Sequence, residues 1–131
     1  MSTGQEMLLR DAGKAIRALR KKGRVEVFLV SPREIKKIER AHLGTHRGEV
    51  DVLSFPEPAG FPSPENATKL LGEVYLNKAI MKRDVEHARY LLVHAVLHLV
   101  GYTHEKKPDR IRMLTKEKEL CRKFLISYSD R

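Results

Sequence analysis

Cysteine and long apolar runs are scarce in this sequence of 131 residues, and acidic residues are fewer than basic ones. Its one cysteine, Cys121, cannot form a disulfide within the chain, so a reducing compartment is the simpler expectation. No apolar run approaches the roughly 20 residues that cross a bilayer. The first residues also lack the basic-then-apolar pattern of a secretion signal. These absences predict a soluble, cytoplasmic protein that has no membrane partner.

Because basic residues outnumber acidic ones, the chain is strongly basic. It holds 26 Lys and Arg against 17 Asp and Glu, a formal net charge of +9 at pH 7. Such an excess favours polyanionic partners, because each phosphate that is neutralised releases condensed counterions. A solvated basic surface accounts for the same composition, so charge alone identifies no substrate. The length suits a single domain with a core that needs no disulfide, and we expect one domain over residues 1–131.

The residue pattern predicts an α+β fold. Helical spacing and capping signals predict five helices, at residues 5–22, 32–42, 77–83, 84–100 and 108–125. Residues 24–30, 49–55 and 70–76 are typical of strands, which predicts a small mixed sheet of three to four strands. The fourth helix is apolar nearly all round, so it should be central and buried. The first helix is basic around its apolar stripe, which predicts a solvated face and leaves contact with RNA as the alternative.

The stretch from His94 to His104 has the strongest functional pattern, H-x-x-x-H-x-x-G-x-x-H. Residues four apart on a helix stand on the same face, so His94 and His98 can offer ring nitrogens to one ion. Gly101 suits the end of that helix and lets His104 fold back towards the other two. Three histidines leave a coordination position open, as in catalytic zinc sites. The spacing therefore predicts one zinc ion, although nickel, copper or iron also accept such ligands.

The same spacing occurs in zinc peptidases, which makes them the first alternative. Their motif H-E-x-x-H-x-x-G-x-x-H carries a glutamate that serves as general base directly after the first histidine. Here that position is Ala95, which cannot accept a proton. A zinc peptidase mechanism would therefore lack its general base at the expected position.

Two motifs together resemble the YbeY family of rRNA maturation endoribonucleases. The strand Asp51-Val52-Leu53-Ser54-Phe55-Pro56 is similar to the family's T-D-V-L-S-F-P. The histidine segment is similar to its H-G-x-L-H-L-x-G-Y-D-H, and Leu71-Gly72-Glu73-Val74 lies between the two. The resemblance implies a metal-dependent endoribonuclease for single-stranded RNA, active in 16S rRNA 3′-end maturation and ribosome quality control. It implies RNA and ribosomal particles as partners, and leaves the oligomeric state open, a monomer included.

The resemblance also implies roles for single residues. It makes His94, His98 and His104 the metal ligands, and a family arginine near the metal corresponds best to Arg47. The family's aspartate before the last histidine is Thr103 here. For the general base, the sequence offers Asp51 and Glu73, each with a structural role as the alternative. A second alternative function is a non-catalytic, metal-stabilised ribosome assembly factor.

Overall fold

The computed structural model describes residues 2–44, 48–58 and 69–127. Within these residues the elements follow in the order α1 (Thr3–Ala18), β1 (Arg24–Val30), α2 (Pro32–Leu43), β2 (Val52–Pro56), β3 (Leu70–Asn77), α3 (Lys78–Arg83), α4 (Val85–Leu99) and α5 (Lys107–Lys123). The predicted α+β class, with five helices, a mixed sheet and a central histidine-bearing helix, is confirmed.

The three strands form one sheet in the order β1-β3-β2, with β1 parallel and β2 antiparallel to β3. Successive residues of a strand face opposite sides. Val74 and Leu76 of β3 are 0% exposed and pack in the large core cluster with α1 and α4. Tyr75 lies between them in sequence and packs with Ile35 and Ile38 of α2. The sheet therefore separates the α4 side, which carries the histidines, from the α2 side.

Gly72 marks a close approach of two backbones in the sheet. A Cβ at this position would collide with the carbonyl oxygen of Phe55 and would lie 2.8 Å from Cδ2 of Leu99. The register of β1 against β3 also shifts next to it, since Arg24 pairs with Leu70 whereas Val25 pairs with Gly72. A glycine inside a strand is typical of a bulge or a close backbone approach, and both are present here.

Capping signals in the sequence predicted most of the helix starts correctly. Ser31 Oγ accepts a hydrogen bond from the backbone N–H of Glu34 at 3.1 Å, and the Glu34 carboxylate accepts one from Ser31 N at 3.5 Å. This capping box starts α2, and Gly44 in the left-handed region (φ 68°) ends it. The side chain of Asp84 caps α4 through the N–H of His87 at 3.1 Å.

The end of α1 differs from the expectation. The helix stops at Ala18, although the apolar and basic pattern predicted helix as far as Lys22. Arg20 adopts a positive φ of 58°, a conformation that a helix cannot continue. The backbone N–H of Lys21 then bonds to the carbonyl of Ile16 at 3.1 Å. The chain thus turns towards β1 before Gly23.

Helix α4 runs through the core against α1, α5 and the sheet. Its buried side chains include Leu92, Val93, Val96 and Leu97, each 0% exposed. Cys121 of α5 is also 0% exposed, as expected for a packing residue. No helix in the described part of the chain has both the length and the apolar character needed to cross a membrane.

A buried ion pair fixes α1 against α4. Arg89 donates to both carboxylate oxygens of Asp11, at 2.8 and 3.1 Å, and Asp11 is only 2% exposed. Arg89 also contacts Glu86 at 3.3 Å. The hydrogen bond to Asp11 is the main reason why the pKa of Arg89 is raised, so the guanidinium stays charged. Because an unpaired buried charge is costly, the pair specifies how these two helices meet.

Candidate metal centre

The first two histidines lie one helical turn apart on α4. Their Nε2 atoms are 3.1 Å from each other, and the rings meet edge to face with centroids 4.7 Å apart. His94 is about a quarter exposed, and His98 is partly buried. Both nitrogens therefore converge on one point at the edge of the core, as the i, i+4 spacing predicted.

The end of α4 brings back the third histidine. Tyr102 N donates to the carbonyl of Leu97 at 2.9 Å, and Gly101 N donates to the carbonyl of His98 at 3.1 Å. These two bonds form the Schellman motif that ends a helix, and Gly101 supplies the positive φ (110°) that the motif requires. The predicted role of Gly101 is confirmed.

His104 lies beside the other two rings after this turn. Its centroid is 4.8 Å from that of His98 and 5.9 Å from that of His94. One ring nitrogen from each of the three histidines lies within 4.8 Å of the other two. His104 is exposed, so the cluster opens to solvent on this side.

Glu117 of α5 lies behind His94. Its Oε1 is 2.6 Å from His94 Nδ1, and its Oε2 accepts a hydrogen bond from the Tyr90 hydroxyl at 2.8 Å. Glu117 is 2% exposed. A carboxylate on the far nitrogen of a ligating histidine fixes the ring and makes it a better ligand. In the sequence Glu117 recurs at helical spacing with the apolar residues of α5, and a glutamate at such a position indicates a buried partner.

The hydrogen bonds fix which nitrogens can bind a metal. A carbonyl oxygen only accepts, so His98 Nδ1, 3.1 Å from the carbonyl of Tyr102, must carry the proton. The Glu117 carboxylate holds the proton of His94 on Nδ1 in the same way. Both Nε2 atoms then present lone pairs to each other across 3.1 Å, an arrangement that repels unless a proton or a metal ion is shared between them.

The spacing of these two nitrogens matches a shared ion. Two ligands at about 2.05 Å from one tetrahedral zinc ion lie roughly 3.3 Å apart, close to the 3.1 Å found here. The pKa of His98 is lowered by burial, and further by the neighbouring His94 and His104. Its ring therefore stays neutral, and able to ligate, at a lower pH than an ordinary histidine. The residues present fit a divalent metal ion.

A cavity of about 200 Å³ adjoins the histidines between α4 and α5. Tyr90, His94, His104 and Glu117 contribute to its wall, together with Arg110. Arg110 is exposed and lies in the first turn of α5. It forms no ion pair within residues 2–44, 48–58 and 69–127. A cation therefore lies beside the candidate metal centre. No pattern in the sequence singles out Arg110 for this position.

Four other residues came into consideration from the sequence: Arg47, Ala95, Glu73 and Asp51. Arg47 lies outside the described residues, so its role remains a prediction. Ala95 is 1% exposed and packs in the core, which leaves no carboxylate at the peptidase position. Glu73 is next to Val74 on β3 and so faces the α2 side of the sheet. The backbone carbonyl of Asp51 accepts a hydrogen bond from Asn77 N at 3.0 Å, a structural role.

Comparison with known proteins points to one family. The sequence profile described as "Endoribonuclease YbeY" matches residues 3–125. The chain is 32% identical to the endoribonuclease YbeY of Nitrobacter hamburgensis, over 58% of this chain and 45% of that one. It is 34% identical to the endoribonuclease YbeY of Anaeromyxobacter, over 75% of this chain and 53% of that one. It is 30% identical to the endoribonuclease YbeY of Roseiflexus, over 81% of this chain and 73% of that one. The chain thus spans about half the length of two of these curated relatives.

A solved structure has the same fold. The solution structure of a Thermotoga maritima protein superposes with a TM-score of 0.54 at 24% identity, covering 93% of this chain and 84% of that one. At this identity the likeness concerns the fold alone. It agrees with the arrangement of helices and sheet described above.

Proposed function

The chain belongs to the YbeY endoribonuclease family, and from this premise we propose that it is a metal-dependent endoribonuclease acting on single-stranded RNA. The observation that carries the proposal is the convergence of His94 and His98, whose Nε2 atoms lie 3.1 Å apart. His104 supplies the third nitrogen. The ligated ion is one zinc ion, because three neutral imidazoles suit zinc and leave a position open for the reaction.

Held by His94, His98 and His104, a zinc ion would supply Lewis-acid catalysis at the scissile phosphate and would activate water as the nucleophile. The residues of the chain hold and orient the groups around it. Glu117 keeps the proton of His94 on Nδ1, and the Tyr102 carbonyl does the same for His98. Tyr90 fixes Glu117 by donating to its second oxygen, so the ligand set is preorganised before substrate arrives.

Arg110 is proposed to bind the scissile phosphate. It shares the cavity with His94 and His104, and a guanidinium there offsets the charge that develops on the phosphate oxygens in the transition state. Arginine suits this role because its planar fork can donate two parallel hydrogen bonds to a phosphate. Arg47 is proposed as a second cation at the site, in keeping with the family arginine that it resembles.

The substrate proposed is ribosomal RNA in the cytoplasm. The family resemblance supports 16S rRNA 3′-end maturation and a part in ribosome quality control, with ribosomal particles as partners. The net charge of +9 supports a polyanionic substrate. We propose that residues 1–131 form a single hydrolase domain, since the profile match covers residues 3–125.

The test compares wild type with His98→Ala and with His42→Ala, an exposed histidine of α2 outside the cluster. Metal content is quantified, and cleavage of a labelled single-stranded RNA with a 16S 3′-end sequence is followed. We expect about one equivalent of metal and cleavage for wild type and His42→Ala, and neither for His98→Ala. Equal cleavage by all three proteins would overturn the proposal. Metal binding without cleavage in wild type would instead favour the assembly-factor alternative.

A further inference from the structure

Three cations form a stripe along one face of α1. Arg10, Lys14 and Arg17 follow the i, i+4, i+7 spacing that places residues on one face of a helix, and all three are exposed. The buried residues of the same helix, Leu8 and Ala15 among them, are 0% exposed and lie in the core. In the described part of the chain none of the three cations forms an ion pair.

The stripe continues into grooves that lead to the histidines. A groove beside α1 is lined by the three cations Arg10, Lys14 and Arg17 and by one acidic residue, Glu6. The next groove shares Arg17 with it and adds Lys21, Lys22 and Lys69. We call these six exposed cations the basic track.

A third groove links the basic track to the candidate metal centre. It has a volume of about 300 Å³ and shares Lys21 with the second groove. Tyr102 and Thr103 line it as well, and Thr103 directly precedes His104. Arg112 adds a further cation, and Asp109, 3.9 Å from it, is the acidic residue in this wall. Each groove shares residues with the next, so together they form a mainly basic path that ends at Thr103, the residue before the third histidine.

The nature of this path favours a nucleic-acid strand over a membrane. A helix that lies on a lipid surface must offer an apolar face to it, but the apolar face of α1 is already buried in the core. Unpaired exposed cations in a groove are what a phosphate backbone requires. The eight residues of helix from Arg10 to Arg17 span about 10 Å, so several phosphates can contact the stripe together.

We propose that the basic track binds the phosphate backbone of the RNA strand beyond the cleavage site, on the His104 side of the metal centre. This inference rests on the proposed function, because it makes the bound strand continuous with the substrate in the active site. The track then contributes affinity that does not depend on sequence, while the metal centre supplies the chemistry.

The test removes three charges of the track in the variant Arg10→Gln, Lys14→Gln and Arg17→Gln combined. Fluorescence anisotropy measures its binding to a labelled 20-nucleotide single-stranded RNA, with a chelator present so that nothing is cut. We expect affinity to fall about tenfold or more at low salt. We also expect the slope of log Kd against log salt to decrease by about 2, since each phosphate contact on a single strand contributes roughly 0.7.

Helix α2 provides a matched control with the same chemistry and spacing. It carries an exposed arginine, lysine and arginine at i, i+4 and i+7 that line none of the grooves described above: Arg33, Lys37 and Arg40. Their combined replacement by Gln changes the net charge equally. We expect this control to lose much less affinity and to keep most of the salt slope.

Two results would overturn the proposal: wild-type affinity in the α1 variant, or equal losses in the α1 and α2 variants. Circular dichroism melting of both variants verifies that each remains folded. The binding assay contains no cleavage step, so it decides the role of the track even if wild type fails to cut RNA. Failure of the proposed function and failure of this inference are thus distinguishable.

Discussion

Glu117 and His94 are 23 residues apart in sequence, yet Glu117 Oε1 lies 2.6 Å from His94 Nδ1. The contact joins α5 to α4 and buries the carboxylate, whose side chain is 3% exposed. Because Tyr90 occupies the other oxygen at 2.8 Å, the carboxylate cannot rotate away from the histidine. The last helix of the described residues therefore supports the candidate metal centre, although it carries none of the proposed ligands.

Replacing Glu117 with Gln should weaken metal binding. Glutamine keeps the size of the side chain but loses the charge that fixes His94 and makes its Nε2 a better ligand. Loss of such a partner costs about 10–100-fold in metal affinity, measurable by competition with a chromophoric chelator. Glu119→Gln is the control, since Glu119 is on the same helix, is exposed and pairs with Lys116. Unchanged affinity in Glu117→Gln would show that this contact has only a structural role.

Replacing Arg110 with Ala should slow cleavage without removing the ion. The cavity wall beside His94 and His104 then lacks its described cation, and we expect kcat/KM for single-stranded RNA to fall about 10²–10³-fold. Metal content should stay at the wild-type level. Arg110→Lys should recover part of the rate, since it keeps the charge but not the fork. Arg122→Ala, at the exposed far end of α5, should cut normally, and equal rates for Arg110→Ala and Arg122→Ala would contradict the assigned role.

Replacement by Ala should change the free energy of unfolding in opposite directions at Gly72 and Gly13. Gly72→Ala pushes a Cβ against the carbonyl oxygen of Phe55, so we expect the free energy of unfolding to fall by about 3 kcal/mol. Gly13 lies inside α1, where a Cβ meets only the end of the Arg17 side chain at 3.4 Å. Gly13→Ala should raise the free energy of unfolding by about 0.5–1 kcal/mol. Urea denaturation of both variants checks the signs, and a stable Gly72→Ala protein would mean that the strands pair differently.

Removing Asp11 from its ion pair with Arg89 should lower the stability of the fold strongly, because the charge of Arg89 stays buried. We expect Asp11→Ala to lower the free energy of unfolding by about 3–5 kcal/mol. Glu26→Ala breaks an exposed pair, at 3.4 Å from Arg24, and should cost less than about 1 kcal/mol. The double variant Asp11→Leu with Arg89→Leu should recover part of the loss, since it leaves no unpaired buried charge; Glu86, which also contacts Arg89, is partly exposed. Equal losses for Asp11→Ala and Glu26→Ala in urea denaturation would argue against this account.

Local signals in the sequence predicted the parts of the fold that local chemistry decides. The Ser31 to Glu34 capping box and the turn at Gly101 depend on residues a few positions apart, so their patterns sufficed. The predicted end of α1 was wrong by four residues. The helix ends early because Arg20 has a positive φ, which follows from how the chain enters the sheet. The strand at residues 49–55 likewise begins at Val52, where pairing with β3 starts.

For the candidate site, the histidines were predictable and their surroundings were not. The spacing of His94, His98 and His104 depends only on one helix and its end. Glu117 and Arg110 reach the site because α5 packs against α4, a tertiary contact that no local pattern encodes. A glutamate among the apolar positions of α5 was the one available signal.

The most direct test of the central claim is a metal titration of the chelator-stripped protein. Zinc is added in steps while cleavage of single-stranded RNA is measured, with His104→Ala in parallel; His104 is exposed, so its loss should leave the core intact. The account predicts no cleavage without metal, a linear rise up to about one equivalent of zinc and no recovery in His104→Ala. Full cleavage by the stripped protein, or equal recovery in the variant, would contradict it.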